Sequence, residues 1–265
     1  MQLKISHTTR YDYEKPVHYV LQQVRMTPRD TPQQRVRDWA LTVTGGIREV
    51  SYSDHHANLT DLISVPSGTR QVEITASGTV ETLDNSGIFG KQPTSVPVWY
   101  FQRGTELTRA GDGIAALAAG IEGVSDRLEA LHDLSDRIAA AVAYGAGETY
   151  TMTTAEDALA GGTGVCQDHA HIFISAARSA GVPARYVSGY LQMDGRVDQD
   201  AGHAWAEAYL DTLGWVGFDV SNRQSPDERY VRIACGRDYA DAAPLSGLRQ
   251  GFGDESMIVS LQVQQ

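Results

Sequence analysis

Over the first ninety or so residues, apolar and polar positions alternate in short runs that turn-forming residues interrupt. Leu3–Tyr13 is rich in β-branched and aromatic side chains and stops before Pro16, and Val17–Met26 stops before Thr27-Pro28. Arg35–Val43 partly alternates up to a turn at Gly45-Gly46. Ile47–Tyr52, Asn58–Val65 and Arg70–Leu83 follow, separated by Asp54-His55-His56 and Pro66-Ser67-Gly68. Short strands with turn signals every ten or so residues predict an antiparallel β sandwich or small barrel. His55 and His56 are adjacent but sit on a turn, which favours a solvated loop over a metal site.

Periodicity is lost between Asp84 and about Arg109, where Gly87, Gly90, Pro93 and Pro97 mark a linker. Val98-Trp-Tyr-Phe101 reads as the hydrophobic anchor of a second domain, with Trp99 and Tyr100 as interface or core residues. The pattern then becomes helical. Gly113–Ala119 is a short alanine-rich segment. Ser125–Val142 is longer, with Ser125 as expected N-cap and Leu128, Leu131, Leu134, Ile138 and Val142 on one apolar face. His132 lies off that stripe and reads as a surface residue. Thr154–Leu159 is a further short helix.

A glycine-rich turn, Gly161-Gly-Thr-Gly, then runs into a helix that ends at Gly181-Val-Pro183 and carries Cys166 at its start. Free backbone N–H groups and the positive dipole end gather there, a position that suits a nucleophilic sulfur. Asp168 reads as a capping carboxylate. His169 and His171 are two positions apart, so on a helix they diverge by about 200° and do not bind one ion readily; packing or hydrogen-bonding roles are expected. Ala184–Leu191 reads as a strand and Met193–Gly202 as a polar loop. The acidic spacing in that loop does not match a calcium-binding loop.

His203–Leu210 alternates strictly, with His203, Trp205, Glu207 and Tyr209 on one face, and Trp215–Val220 returns after a turn as the second arm of a hairpin. A thiol nucleophile needs a base, and the base needs an orienting acid. His203 and Asp219 lie near the same end of this hairpin. A four-residue loop pairing Leu210 with Trp215 would put them on opposite faces, so a bulge or a three- or five-residue loop is predicted. Cys166 is then the nucleophile, His203 its base and proton donor, and Asp219 the group that holds the imidazole tautomer. The backbone N–H of Cys166 supplies one oxyanion donor, with Tyr144, Gln167 and Trp99 as candidates for the second.

Composition narrows the setting. A formal net charge of −11 argues against a nucleic-acid partner that needs a basic surface. No window reaches the ~20 apolar residues of a membrane span, and the N-terminal residues show no secretory pattern. The two cysteines, Cys166 and Cys235, form no CxxC pair, so a zinc framework is excluded; Cys235 lies in an apolar run and reads as buried. A cytoplasmic protein without structural metal or cofactor is expected.

Four segments together carry a family resemblance: Gly164-Val-Cys-Gln-Asp168, Ala180-Gly-Val-Pro-Ala-Arg-Tyr-Val-Ser-Gly-Tyr190, Gly202-His-Ala-Trp-Ala-Glu207 and Gly214-Trp-Val-Gly-Phe-Asp219. Their order resembles the bacterial transglutaminase-like cysteine peptidase family over about residues 140–240, and the first ninety residues resemble the β-rich N-terminal region of that group. The resemblance implies an α+β protein: an N-terminal antiparallel β sandwich or barrel over 1–95, then a papain-like, transglutaminase-like domain over 96–265. It assigns the catalytic roles to Cys166, His203 and Asp219. It also implies hydrolysis of a peptide, amide or isopeptide bond in a protein or peptide substrate through a thioester acyl-enzyme. Glutamine transamidation or deamidation, and a binding module with a vestigial triad, are the alternatives. Asp219-Val-Ser-Asn222 stands where many relatives read Asp-Pro-Thr-Asn, so a changed turn after the acid is expected.

Overall fold

The computed structural model describes residues 1–92 and 95–265. Pro93, assigned above to the linker, lies outside the described residues. The N-terminal strands are β1 (Gln2–Tyr13), β2 (Tyr19–Thr27), β3 (Gln34–Thr44), β4 (Ile47–Ser53), β5 (Leu59–Val65) and β6 (Gln71–Thr82), followed by a short β7 (Ile88–Gly90). A 3-10 helix (Val98–Gln102) leads to α1 (Asp112–Ala118), α2 (Arg127–Ala141), β8 (Ala143–Tyr144), α3 (Ala155–Gly161), β9 (Thr163–Gly164) and α4 (Cys166–Ser179). Then come β10 (Ala184–Leu191), β11 (Asp198–Gln199), β12 (His203–Leu210), β13 (Gly214–Phe218) and β14 (Tyr230–Gly236). The chain closes with α5 (Tyr239–Ala242), β15 (Leu245–Gln250) and β16 (Glu255–Gln264).

Two antiparallel sheets, ordered β11-β16-β1-β6-β3 and β15-β2-β5-β4, enclose a core that includes Tyr13, Val24, Met26, Ile63, Val72 and Ile74. This is a sandwich. The third sheet, β14-β10-β12-β13-β7, packs on α4, the buried helix at the centre of the second half. Alternation explains the packing: Ala204, Ala206, Ala208 and Leu210 join the helix core, while Trp205 on the other face of β12 packs with Val187, Tyr230 and Cys235.

The division at residue 95 is crossed in both directions. β7 joins the sheet of the second half, and β15 and β16 return to extend the two sandwich sheets, pairing with β2 and β1. Leu3, Ile5 and Val80 of the sandwich share one hydrophobic cluster with Ile172, Phe173 and Ile174 of α4. The outer edge of β14, which has no neighbouring strand among the described residues, is paired by two side-chain amides from the sandwich. Gln34 exchanges hydrogen bonds with the backbone of Arg232 at 2.9 Å each way, and Asn58 with that of Cys235 at 2.8 Å each way.

Several local expectations need correction. The N-cap of α2 is Asp126, not Ser125, because its carboxylate accepts from the N–H groups of Leu128 and Glu129 at 3.1 Å. His56 is buried and bonds Asp241 at 3.3 Å, although its neighbour His55 is exposed as a turn residue would be. Trp99 is 54% exposed, with Arg103 over its ring at 4.8 Å, so it is not a core residue. The loop after Met193 contains β11, which pairs with β16.

Candidate active site

Cys166 is the first residue of α4, where backbone N–H groups have no intrahelical partner. The turn before it is fixed by Asp168, whose carboxylate accepts from the Val165 N–H at 2.8 Å and the Thr149 hydroxyl at 2.7 Å. The two-residue strands β8 and β9 tie Tyr144 alongside Gly164. Partial desolvation of an otherwise exposed side chain, and after it the charges of Cys166 and Asp219, hold the Tyr144 phenol above its ordinary pKa. Of the suggested oxyanion donors, Gln167 turns its amide to the Thr151 carbonyl at 3.1 Å, and Trp99 lines a separate surface depression with Gln102 and Asp211.

The β12–β13 hairpin has Leu210 opposite Gly214 and Ala206 opposite Phe218, which leaves a three-residue loop. Continuing that register sets Asp219 opposite Trp205, on the face that His203 shares, so the required parity is met. His203 Nε2 lies 2.6 Å from Asp219 Oδ2. Asp219 has no exposed surface, and its Oδ2 also accepts from Asn222 Nδ2 and from the Tyr230 hydroxyl, each at 2.7 Å. The Asn222 N–H donates to Oδ1 at 3.2 Å, so the turn after the acid is closed by asparagine without the proline. Tyr230 is held in turn by Gln224, at 2.6 Å, and Gln224 by Arg229, at 3.0 Å.

These contacts set the charge state. Burial alone would depress the His203 pKa, but hydrogen bonds to Asp219 and Cys166, with their charges, raise it to about 10. Burial likewise works against the Asp219 carboxylate, and the bonds from His203, Asn222 and Tyr230 outweigh it, so its pKa is lowered. Because Nε2 is committed to Asp219, Nδ1 is the ring nitrogen left for the thiol. Opposite His203 on β10 stands Gly189, where a Cβ would lie 2.1 Å from the Val231 carbonyl oxygen and 2.8 Å from the Trp205 ring. Glycine there lets Trp205 pack behind the imidazole, with ring centroids 6.3 Å apart.

His169 and His171 diverge as the helix geometry requires. His169 bonds the Ser221 hydroxyl at 2.8 Å and the Val142 carbonyl at 3.1 Å, whereas His171 accepts from the Tyr239 N–H at 3.1 Å. Among the described residues, no cluster of His, Cys, Asp and Glu has a metal-binding arrangement. Cys235 is buried on the far side of the sheet. Tyr230 and Asn222 were not singled out by sequence. Tyr230 opens an apolar strand and reads there as another core aromatic, and only the tertiary fold brings its hydroxyl to Asp219.

Cys166 and His203 line a cavity of about 300 Å³ that β10, β1 and β16 also border. Residues 115–220 match the family model described as transglutaminase-like superfamily, and residues 3–81 match the bacterial transglutaminase-like N-terminal region. An uncharacterized protein of Mycobacterium tuberculosis is 31% identical over 288 aligned residues, covering 98% of this chain and 91% of its own. The crystal structure of a candidate cysteine protease from Cytophaga hutchinsonii has a TM-score of 0.80 at 24% identity, covering 100% of this chain and 90% of that one. A shorter match, 35% identical over 98 residues, is to a protein-glutamine gamma-glutamyltransferase of Pseudomonas aeruginosa, covering 33% of this chain and 15% of that protein.

Proposed function

The chain belongs to the bacterial transglutaminase-like family, and from that premise we propose that it is a cysteine-dependent hydrolase that cleaves a peptide, amide or isopeptide bond. The observation that carries this reading is the 2.6 Å hydrogen bond between His203 and Asp219 beside a cavity that His203 shares with Cys166, the first residue of a helix. Cys166 gives its proton to His203, and Sγ attacks the carbonyl carbon. Negative charge develops on the carbonyl oxygen, where the Cys166 N–H stabilises it; a donor of this kind contributes about 3 kcal/mol in the transition state. The His203 imidazolium then protonates the departing amine, leaving a thioester. His203 next takes a proton from water, which attacks the thioester, releases the acid and restores the thiol. Asp219 keeps the imidazole oriented and favours its charged form throughout.

The short match to a protein-glutamine gamma-glutamyltransferase supports a second reading, in which an amine rather than water reaches the thioester. One assay separates the two. Peptide substrates are supplied with and without a primary amine to the wild type and to Cys166→Ala, and products are identified by mass spectrometry. Hydrolysis products that vanish in Cys166→Ala are expected. Amine incorporation that depends on Cys166 would replace the hydrolase reading by transamidation. Rapid alkylation of Cys166 by iodoacetamide is the second expectation, and a rate no greater than that of free cysteine would remove both readings.

A further inference from the structure

The wall that faces Cys166 across the cleft comes from the sandwich. In the β1–β16 register Thr9 lies opposite Val259 and Tyr11 opposite Met257, so these four side chains share one face. With His7 they border the same cavity as Cys166 and His203. The face is continuous along β1. Leu3 and Ile5 are packed in the core of α4, whereas Tyr11 and Tyr13 are packed in the sandwich core. The cleft opens where the strand passes from one core to the other.

This wall is electrically neutral. Burial lowers the His7 pKa to about 4, so its ring is uncharged at neutral pH, and it is fixed by a 2.9 Å hydrogen bond to the Tyr190 hydroxyl. Arg25 reaches the cavity from β2 already paired with Asp54, at 3.4 Å, and with the side-chain amide oxygen of Gln23, at 3.0 Å. Most of the surface bordering the cavity is apolar. An amide or carboxylate set against the side chains of Val259 and Met257 would give up water without replacement, whereas an apolar side chain gains by burial.

We infer that the N-terminal sheet determines specificity: the cleft selects acyl donors whose attacked carbonyl belongs to a bulky, uncharged apolar residue, aromatic or long aliphatic, and disfavours glutamine and carboxylate side chains. This rests on the proposed thiol chemistry and names its substrate class. It gives the sandwich a direct part in recognition and turns the cleft away from the glutamine donors of transamidation.

The test uses peptidyl chloromethyl ketones ending in Phe, Gln or Glu. Cys166 sulfur displaces chloride from each to form a thioether, read by intact mass, with iodoacetamide as a reagent that carries no side chain. The Phe probe is expected to react at least about tenfold faster than the Gln and Glu probes, each rate divided by that of iodoacetamide. Met257 is 56% exposed and tolerates replacement. Met257→Asp is expected to lower the Phe-to-iodoacetamide ratio about tenfold, and Met257→Leu to keep it. A Gln probe as fast as the Phe probe in the wild type, or an unchanged ratio in Met257→Asp, overturns the inference while fast iodoacetamide alkylation leaves the thiol chemistry standing. Slow iodoacetamide alkylation overturns the thiol chemistry and the substrate class with it.

Discussion

At the residue scale, the His203–Asp219 pair governs how the site responds to pH. The His203 pKa is raised from 6.5 to about 10, so the stability it contributes is complete below 6.5 and lost as pH rises through about 10. The Asp219 pKa is lowered, so its contribution is complete above the ordinary carboxylate value of 3.8 and lost as pH falls through its folded value. Together they stabilise the folded site most between about 4 and 6.5. NMR titration of the His203 ring should show a midpoint near 10 in the wild type and a lower one in Asp219→Asn, where Cys166 alone opposes the effect of burial. The same variant should lose on the order of 10³–10⁴ in kcat, as expected when the orienting acid of a triad is neutralised. An unmoved midpoint would remove Asp219 from the pair. Tyr230→Phe tests the support beneath the acid. It removes one of the three donors to Oδ2, so the Asp219 pKa should rise and the fold should lose about 1–3 kcal/mol by urea denaturation.

At the element scale, α1 depends on a cap from elsewhere in the chain. Gly111 has no side chain to cap it, and the Glu156 carboxylate of α3 accepts from the N–H groups of Gly111, Gly113 and Ile114 at 3.0, 2.7 and 3.0 Å. A Cβ at 111 would stand 2.7 Å from the Glu156 carboxyl carbon, so a side chain there would push the capping carboxylate aside. Glu156→Ala leaves these donors without their acceptor and should lower stability by about 2–3 kcal/mol with an unchanged m value, Glu156→Gln recovering part of the loss. Such long-range capping leaves no trace in local sequence. What was legible was what short-range physics dictates, namely the six sandwich strands and the helix beginning at Cys166, whereas the odd hairpin loop followed only from requiring His203 and Asp219 to share a face. β15 is not legible in the sequence because Leu245–Gln250 is a half-exposed strand with a glycine and a weak apolar rhythm, made regular by its pairing with β2.

At the scale of the whole molecule, the chain ends are bound into one structure. β16 pairs with β1 from Lys4–Gln264 to Tyr13–Glu255, and β15 pairs with β2 from Val24–Leu245 to Tyr19–Gln250. Residues 1–95 read as a self-sufficient sandwich because their six strands are contiguous and their turns are clear. Pairing between the two ends of a chain is set by packing, which no local pattern encodes. A fragment of residues 1–95 would therefore expose the edges of β1 and β2, and Leu3 and Ile5 would lose the partners they have in the α4 core. We expect that fragment to aggregate or to melt without a cooperative transition, and the full chain to melt cooperatively, as read by size-exclusion chromatography and circular dichroism. A monomeric 1–95 with a sharp transition would show that the sandwich carries its own stability. The opposite result would mean that the strands closing the sandwich also hold the cleft wall in place, so that substrate recognition and the folding of the two halves are coupled through β16.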